Sequence, residues 1–294
     1  MRNPRPERAH GERDWLLAWT AAPGLLYLGI FFVVPMLLVV VFSLLQSTPE
    51  GGVRASLTLD NYRRALDPLY LGVLGRSAWL ALVTTGVSLA LAYPTAWAIR
   101  TGSARRRGLL LALVVIPSWM NLLIKNYAWI VILRREGVLN TALTSLGLID
   151  QPLTLLFAPS AMLIGLVHTY LPFMVLPLYV ALDRMDWSLV EAARDLGAGR
   201  AAVFRQVVLP QTLAGVAVGC TLVFIPTLGA FVTPDLLGGP DSLMVGTLIE
   251  NQLLHVRNWP FASALAVLLM GVVAVALAAV RRLQGSATGP EAVT

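Results

Sequence analysis

The segment SLVEAARDLGAGRAAVFRQVVLP, Ser188–Pro210, is polar and helix-forming, whereas the sequence on both sides of it is apolar. Hydrophobic residues make up 57% of the 294 residues and charged residues only 13%. A typical soluble domain has ~25% charged residues. This composition indicates a membrane protein, in which the segment separates two membrane-spanning runs.

Six windows without a charged residue reach or approach the roughly 20 residues that a transmembrane helix requires. The windows are Trp15–Pro49, Ser77–Ile99, Gly108–Ile124, Gln151–Leu182, Gln206–Pro234 and Asn258–Val280. The third window is short, and we expect its helix to continue past Lys125 to Leu133. Because the windows are apolar on every face, they predict helices rather than alternating strands.

The predicted fold is therefore all-α, an integral membrane protein with six transmembrane helices. A tail over residues 1–14 precedes a membrane domain over residues 15–280, and a second tail covers residues 281–294. The tails and the loops 100–107 and 183–205 hold about twice as many arginines as the loops on the other side. Positive charge favours the cytoplasm, so both termini are expected there. The net charge of +6 is expected to face membrane lipid rather than nucleic acid.

The quoted segment predicts a helical hairpin on the inner face of the membrane. Ser188 and Glu191 have the spacing of a capping box, which marks a helix start. Gly197 and Gly199 suit the left-handed conformation that ends a helix. A second amphipathic helix is expected to follow, closed by Pro210 before the fifth span. The apolar stripe of the first helix comprises Leu189, Ala192, Ala193 and Leu196.

One interpretation of this hairpin is an amphipathic element that only holds the loop on lipid. Another follows from its spacing: Glu191-Ala192-Ala193, three residues to Gly197, nine more to Val207, then Leu209-Pro210. This spacing resembles the EAA loop of ABC importer permeases, although the family pattern ends with Ile where this chain has Val207. The resemblance implies that a group of residues couples this chain to an ATPase. They are Glu191, Ala192, Ala193, Asp195, Gly197, Leu209 and Pro210.

Two further stretches are similar to spermidine/putrescine permease subunits. They are PSWMNLLIKNYAWIVILRREGVLN (Pro117–Asn140) and PDLLGGPDSLMVGTLIENQLLHVRNWPFASAL (Pro234–Leu265), and family members usually carry Arg in place of Lys125. The resemblance implies a type I ABC importer permease bundle in the inner membrane of a bacterium. Residues 185–210 would form its EAA loop, whose coupling helix docks into a groove of a cytoplasmic ATPase.

The resemblance also implies partners: a second permease subunit, an ATPase subunit dimer and an extracytoplasmic substrate-binding protein. Together they would move spermidine, putrescine or a similar small cation by alternating access. Related machinery carries other solutes, such as aminoethylphosphonate or a ferric ion chelate. A membrane enzyme or anchor without a transport role is the remaining alternative.

The sequence also indicates where the energy for transport comes from. The chain has no P-loop, because its only lysine, Lys125, lies between Ile124 and Asn126. ATP and Mg are therefore expected on separate ATPase subunits, with no cofactor or metal in this chain. Ion-coupled transport would call for acidic residues within the spans, and the windows contain none. His168 is expected to be a core histidine satisfied by a neighbour.

A polycation would be recognised by carboxylates and by aromatic faces. We expect Asp235 and Glu250 to receive the cation at the outer mouth, with Tyr127, Trp129 and Tyr170 lining its route. The alternative is that the acidic residues are solvated and that the aromatic residues form interfacial belts. Lys125 would oppose a cation, so we expect it to be paired or to extend toward the outer surface.

Overall fold

The computed structural model describes residue 20 and residues 22–48, 52–239 and 242–287, with side chains described through residue 282. The predicted tail 1–14 lies outside these residues. The helices, in chain order, are α1 Ala22–Ser43, α2 Asp60–Ala65, α3 Pro68–Thr101, α4 Ala104–Val115, α5 Leu122–Leu133, α6 Val138–Ser145, α7 Pro159–Arg184, α8 Ser188–Asp195, α9 Arg200–Leu228, α10 Val232–Leu237, α11 Val245–Leu254 and α12 Trp259–Ala287.

Within the described residues, α1, α3, α7, α9 and α12 are the five helices long and apolar enough to cross a membrane. A sixth span results if the bent pair Ala104–Trp119 and Leu122–Ser145 is taken as one. This agrees with the six predicted spans. The last helix continues to Ala287, so the start of the second predicted tail is helical.

The third span is broken, and the predicted continuous helix through Lys125 to Leu133 was wrong. After α4, a short 3₁₀ turn over Ile116–Trp119 leads into α5 at a bend of 100°. Pro117 lacks a backbone donor and disfavours a continuous helix. Asn121 then starts a new helix, because its side chain accepts a hydrogen bond from the Leu123 amide at 2.8 Å.

The centre of the bundle is formed by α3, α7 and α9. Where α7 crosses α9, a Cβ atom added at Gly215 would lie 2.5 Å from the Ala181 Cβ and 2.9 Å from the Pro177 carbonyl oxygen. One turn later, a Cβ atom at Gly219 would lie 2.7 Å from the Met174 sulfur. Lipid tails are as apolar as the side chains, so close packing of this kind is a main contribution to helix association in a membrane.

We predict that Gly215→Ala destabilises the bundle by about 1–3 kcal/mol, the usual effect of overpacking. Gly86→Ala is the matched control, because a Cβ atom at Gly86 meets nothing within 4 Å. The midpoint of thermal unfolding in detergent should fall for Gly215→Ala and stay or rise slightly for Gly86→Ala. Equal midpoints for both variants would contradict the close α7–α9 contact.

A small hairpin departs from the all-α prediction at the end of the bundle opposite α8. Strand β1, Leu45–Thr48, pairs antiparallel with β2, Gly52–Leu57. The Asn61 side chain ties the hairpin to the end of α1 by donating to the carbonyl oxygens of Ser43 at 3.0 Å and Leu45 at 2.8 Å. Strand β1 lies within the first predicted window, Trp15–Pro49, whose helix ends at Ser43.

Between α9 and α12 the chain does not run straight through the membrane. The predicted fifth span extends to Pro234, but α9 ends at Leu228, and α10 and α11 then fold back against the bundle. The Val245 amide donates to the Ser77 hydroxyl of α3 at 2.8 Å. This hydrogen bond fixes the start of α11 against the second span.

Candidate functional site

Helix α8 begins at Ser188 as predicted, but a different residue caps it. The Asp186 carboxylate accepts hydrogen bonds from the Ser188 hydroxyl at 2.7 Å and from its amide at 3.0 Å. Trp187 already has helical dihedral angles, so Asp186 reaches the first free amide and Ser188 does not act as the cap. The predicted capping box of Ser188 and Glu191 was wrong. The two hydrogen bonds, chiefly the one from the hydroxyl, lower the pKa of the Asp186 carboxyl.

The end of α8 confirms one of the two glycine predictions. Gly197 has a φ of +82°, its amide donates to the Arg194 carbonyl at 2.9 Å, and the Ala198 amide donates to the Ala193 carbonyl at 3.0 Å. This pair of hydrogen bonds is a Schellman motif. The prediction for Gly199 was wrong, because Gly199 is extended, with φ −67° and ψ 160°, and starts α9.

We predict that Gly197→Ala loosens this turn, because an L residue in the left-handed conformation costs about 1–2 kcal/mol. Hydrogen exchange of the Ala198 amide should then become about 5–30 times faster. Gly199→Ala is the control, since its extended backbone suits any residue and a Cβ atom there meets nothing within 4 Å. Equal exchange in both variants would contradict the assigned turn.

The second half of the loop is not a separate helix. Helix α9 runs without interruption from Arg200 to Leu228, 29 residues, or about 43 Å. A π-helical turn over Phe204–Val208 ends with the Leu209 amide donating to the Phe204 carbonyl. This wider turn accommodates Pro210, whose ring would otherwise clash with the carbonyl four residues earlier. The prediction that Pro210 closes the hairpin was therefore wrong, and the loop continues directly into the fifth span.

The predicted apolar stripe of α8 faces away from the bundle. Leu189 is 49% exposed, Leu196 is 89% exposed, and Ala192 is also exposed. Glu191 is exposed beside them, whereas Ala193 is partly covered. Val190, which is 1% exposed, holds α8 against the central cluster of the bundle. The helix thus has one buried side and one open side that carries both apolar and acidic groups.

An ion-pair cluster, the Asp183 cluster, fixes the approach to α8. Asp183 at the end of α7 lies 3.1 Å from Arg100 Nε of α3 and 3.3 Å from Arg107 of α4. The centroids of the Trp187 and Trp97 rings lie 5.4 Å apart, and the Arg100 guanidinium carbon lies 5.1 Å from the centroid of the Trp187 ring. This cluster was not predicted, although Asp183 is the first residue of the arginine-rich loop 183–205. Three spans therefore meet where α8 begins.

The predicted substrate-path residues are distributed over α5, α7, α10 and α11. Trp129 donates through Nε1 to His168 Nδ1 at 3.1 Å, and the Tyr170 hydroxyl donates to the Pro226 carbonyl at 3.4 Å. Tyr127 is exposed. The hydrogen bond to His168 agrees with the prediction that a neighbour satisfies this residue, but His168 is exposed rather than in the core.

The two predicted mouth carboxylates differ in their surroundings. Asp235 lies in α10 and is exposed, whereas Glu250 lies in α11 and is half-buried. Within the described residues no hydrogen bond or ion pair joins the two side chains. Their joint role at the outer mouth stays a prediction.

Lys125 lies in the first turn of α5 and is only 7% exposed. Among the described residues it has no ion-pair partner, so neither the predicted pairing nor the predicted extension to the surface is observed. The bend explains the difference, because it places Lys125 at the start of a new helix instead of deep in a continuous one. The 100° change of direction alters where its side chain points.

A buried polar contact that the sequence analysis missed lies next to Lys125. The fully buried Asn126 donates to the Leu122 carbonyl at 3.1 Å and to the Thr233 hydroxyl of α10 at 3.2 Å. Its own Oδ1 accepts no hydrogen bond. A Lys-Asn pair inside an apolar run was the signal in the sequence. The contact joins the broken third span to the segment that folds back after α9.

A family model described as "Binding-protein-dependent transport system inner membrane component" matches residues 68–286. The chain belongs to this family. It is 42% identical over 243 residues to the spermidine/putrescine transport system permease protein PotB of Escherichia coli (strain K12), which covers 83% of this chain and 88% of that protein. It is also 42% identical over 239 residues to PotB of Haemophilus influenzae, covering 81% and 84%.

A comparison with solved structures agrees with the predicted fold. A chain of a bacterial alginate ABC transporter, solved in complex with an alginate pentasaccharide-bound periplasmic protein, aligns with a TM-score of 0.73 at 19% identity. The alignment covers 94% of this chain and 96% of that chain. The predicted bundle of the ABC importer permease type is thus confirmed. As a family member, this chain is a multi-pass inner-membrane transport component.

Proposed function

We propose that the chain is the membrane-spanning permease subunit of an ATP-driven importer that translocates spermidine, putrescine or a similar small cation by alternating access. The cargo is supported by the PotB relatives, which are spermidine/putrescine permease proteins and match 83% of this chain. The coupling role is supported by α8, whose apolar and acidic face is open while its other side is buried.

The continuity of the chain around α8 carries the mechanical part of the proposal. Helix α8 follows α7 directly and is joined to α9 by the Schellman turn at Gly197. A displacement of α8 therefore moves the ends of two spans that pack at the centre of the bundle. A helix with one open apolar face suits docking into a groove of a partner, and here the partner is an ATPase subunit dimer.

The other parts of the proposed assembly follow from this role. ATP and Mg bind the ATPase subunits, and closure of those subunits moves the coupling loops of this chain and of a second permease subunit. An extracytoplasmic substrate-binding protein delivers the cargo. Both termini and the α8 end of the bundle face the cytoplasm, where arginine-rich loops are favoured.

For the cargo route, Asp235 and Glu250 receive the cation at the end opposite α8. Trp129 and Tyr170 lie on α5 and α7, and Tyr127 is the exposed aromatic residue of α5. Their faces suit ammonium groups. Asp235 is open for a first contact, whereas Glu250 offers a less hydrated carboxylate.

One observation favours a different cargo, a phosphonate-bearing solute such as aminoethylphosphonate. Lys125 is a largely buried residue without an acidic partner among the described residues. An ionisable residue inside a membrane span commonly marks a transport path. An anionic group would pair with Lys125, whereas a polyamine would be repelled by it.

We predict that Glu191→Lys uncouples the transporter, because it reverses the charge on the open face of α8. In proteoliposomes with the ATPase and binding protein, ATP-driven uptake should fall at least about tenfold. Glu136→Lys, an exposed residue far from α8 in sequence, should leave uptake unchanged. Normal uptake and normal co-purification of the ATPase with Glu191→Lys would remove the docking role.

For the cargo, we predict that Asp235→Asn with Glu250→Gln raises the KM for spermidine uptake about tenfold, because two attractive charges are lost. Lys125→Met should leave spermidine uptake intact if the cargo is a cation. Loss of aminoethylphosphonate uptake in Lys125→Met, together with unchanged spermidine uptake in the double variant, would instead assign the phosphonate cargo.

A further inference from the structure

A cavity of about 980 Å³ opens beside α8. Its walls come from the last turns of α3, from the α8–α9 connection and from the first turns of α9. Tyr93 and Trp97 form one side, Phe204 another, and Arg194 and Arg200 line it as well. None of its lining residues is acidic.

Arg194 lies on the bundle side of α8. Residues four apart occupy the same face of a helix, and Arg194 is four residues after Val190, which is buried against the bundle. The open face that carries Ala192 and Leu196 points elsewhere. Arg194 therefore reaches into the cavity instead of joining the predicted ATPase-facing surface.

The two arginines of the cavity lack acidic partners. Among the described residues, the ion pairs at the α8 end involve Arg100 and Arg107 with Asp183, whereas neither Arg194 nor Arg200 takes part in one. Arg194 and Arg200 thus line the same space, both exposed and without an acidic partner. Guanidinium groups bind phosphate oxygens through paired N–H donors.

Side-chain contacts hold the aromatic wall of the cavity in place. The Tyr93 hydroxyl is hydrogen-bonded to the Thr212 hydroxyl at 2.8 Å, and its ring meets Phe204 edge to face at 5.2 Å. Trp97 is held by the Trp187 ring of the Asp183 cluster. These contacts keep an apolar surface beside the arginines.

The aromatic residues Tyr93 and Trp97 of the cavity lie in the last three turns of α3. Helix α3 ends at Thr101, so Trp97 lies about 6 Å and Tyr93 about 12 Å from its end along the axis. The polar layer on each side of the hydrocarbon core is about 5–8 Å thick. Tyr and Trp favour the interfacial level of a membrane, and Trp97 lies within this thickness of the helix end.

We propose that this cavity binds the phosphodiester headgroup of an anionic phospholipid, with the two arginines on the phosphate and the aromatic wall beside the acyl chains. Basic pockets between membrane helices bind anionic headgroups in this way. The lipid would fill the space between α3 and the coupling loop and support α8 from the membrane side. This inference does not depend on the proposed cargo.

The test uses the full chain in nanodiscs that contain phosphatidylglycerol and phosphatidylcholine, with lipid retention measured by native mass spectrometry. The variant is Arg194→Gln with Arg200→Gln. The control is Arg105→Gln with Arg205→Gln, which removes the same charge from exposed positions outside the cavity. Thermal unfolding of all three proteins checks that the bundle is intact.

The wild type and the control should retain phosphatidylglycerol over phosphatidylcholine. The cavity variant should bind it about 30 times more weakly, as expected from the loss of two interfacial arginines. An equal loss of phosphatidylglycerol binding in the control would show that overall charge causes the effect, and it would overturn the proposed site. If inorganic phosphate displaced phosphatidylglycerol, the ligand of the cavity would be a free anion and not a lipid, and the proposal would be wrong. In nanodiscs to which the ATPase subunits are added, labelling of the ATPase instead of lipid by a photo-crosslinker at Trp97 would assign the cavity to protein docking and overturn the lipid site.

Discussion

The close crossing of α7 and α9 is the contact on which the rest of the structure depends. At Gly215 and Gly219 the two helices approach so closely that a single added methyl group would overlap Ala181 or Met174. These helices are also the ones that flank α8. The loop that contains α8 is therefore carried by two closely packed spans, and a packed interface of this kind does not deform gradually.

The connection that contains α8 is fixed at both of its ends. Asp183 joins the ends of three spans just before α8, and the Schellman turn at Gly197 fixes the angle at which the chain leaves it. The π-helical turn then lets α9 pass Pro210 without a break. A force applied to the open face of α8 is consequently transmitted through two short connections, one beside the Asp183 ion pairs and one closed by the hydrogen bonds of the Schellman turn, and not through a long flexible linker.

The sequence predicted the spans and the turn at Gly197 because both are encoded locally. Uncharged windows define helices in a membrane, and Gly197 ends α8 as its conformational freedom suggests. The errors have a common physical source in neighbouring residues. Asp186, outside the expected motif, caps α8, and Pro210 is accommodated by a widened turn upstream. Lys125 is buried because Pro117 and Asn121 together bend the third span, which composition alone does not reveal.

The most direct test of the account uses a photo-crosslinking amino acid at Leu196, with the same group at Val190 as control. Leu196 is 89% exposed on the open face of α8, whereas Val190 is 1% exposed against the bundle. In membranes that contain the assembled transporter, Leu196 should crosslink to the ATPase subunit, more so when ATP is present, and Val190 should not. Crosslinks from Leu196 to phospholipid alone would contradict the account.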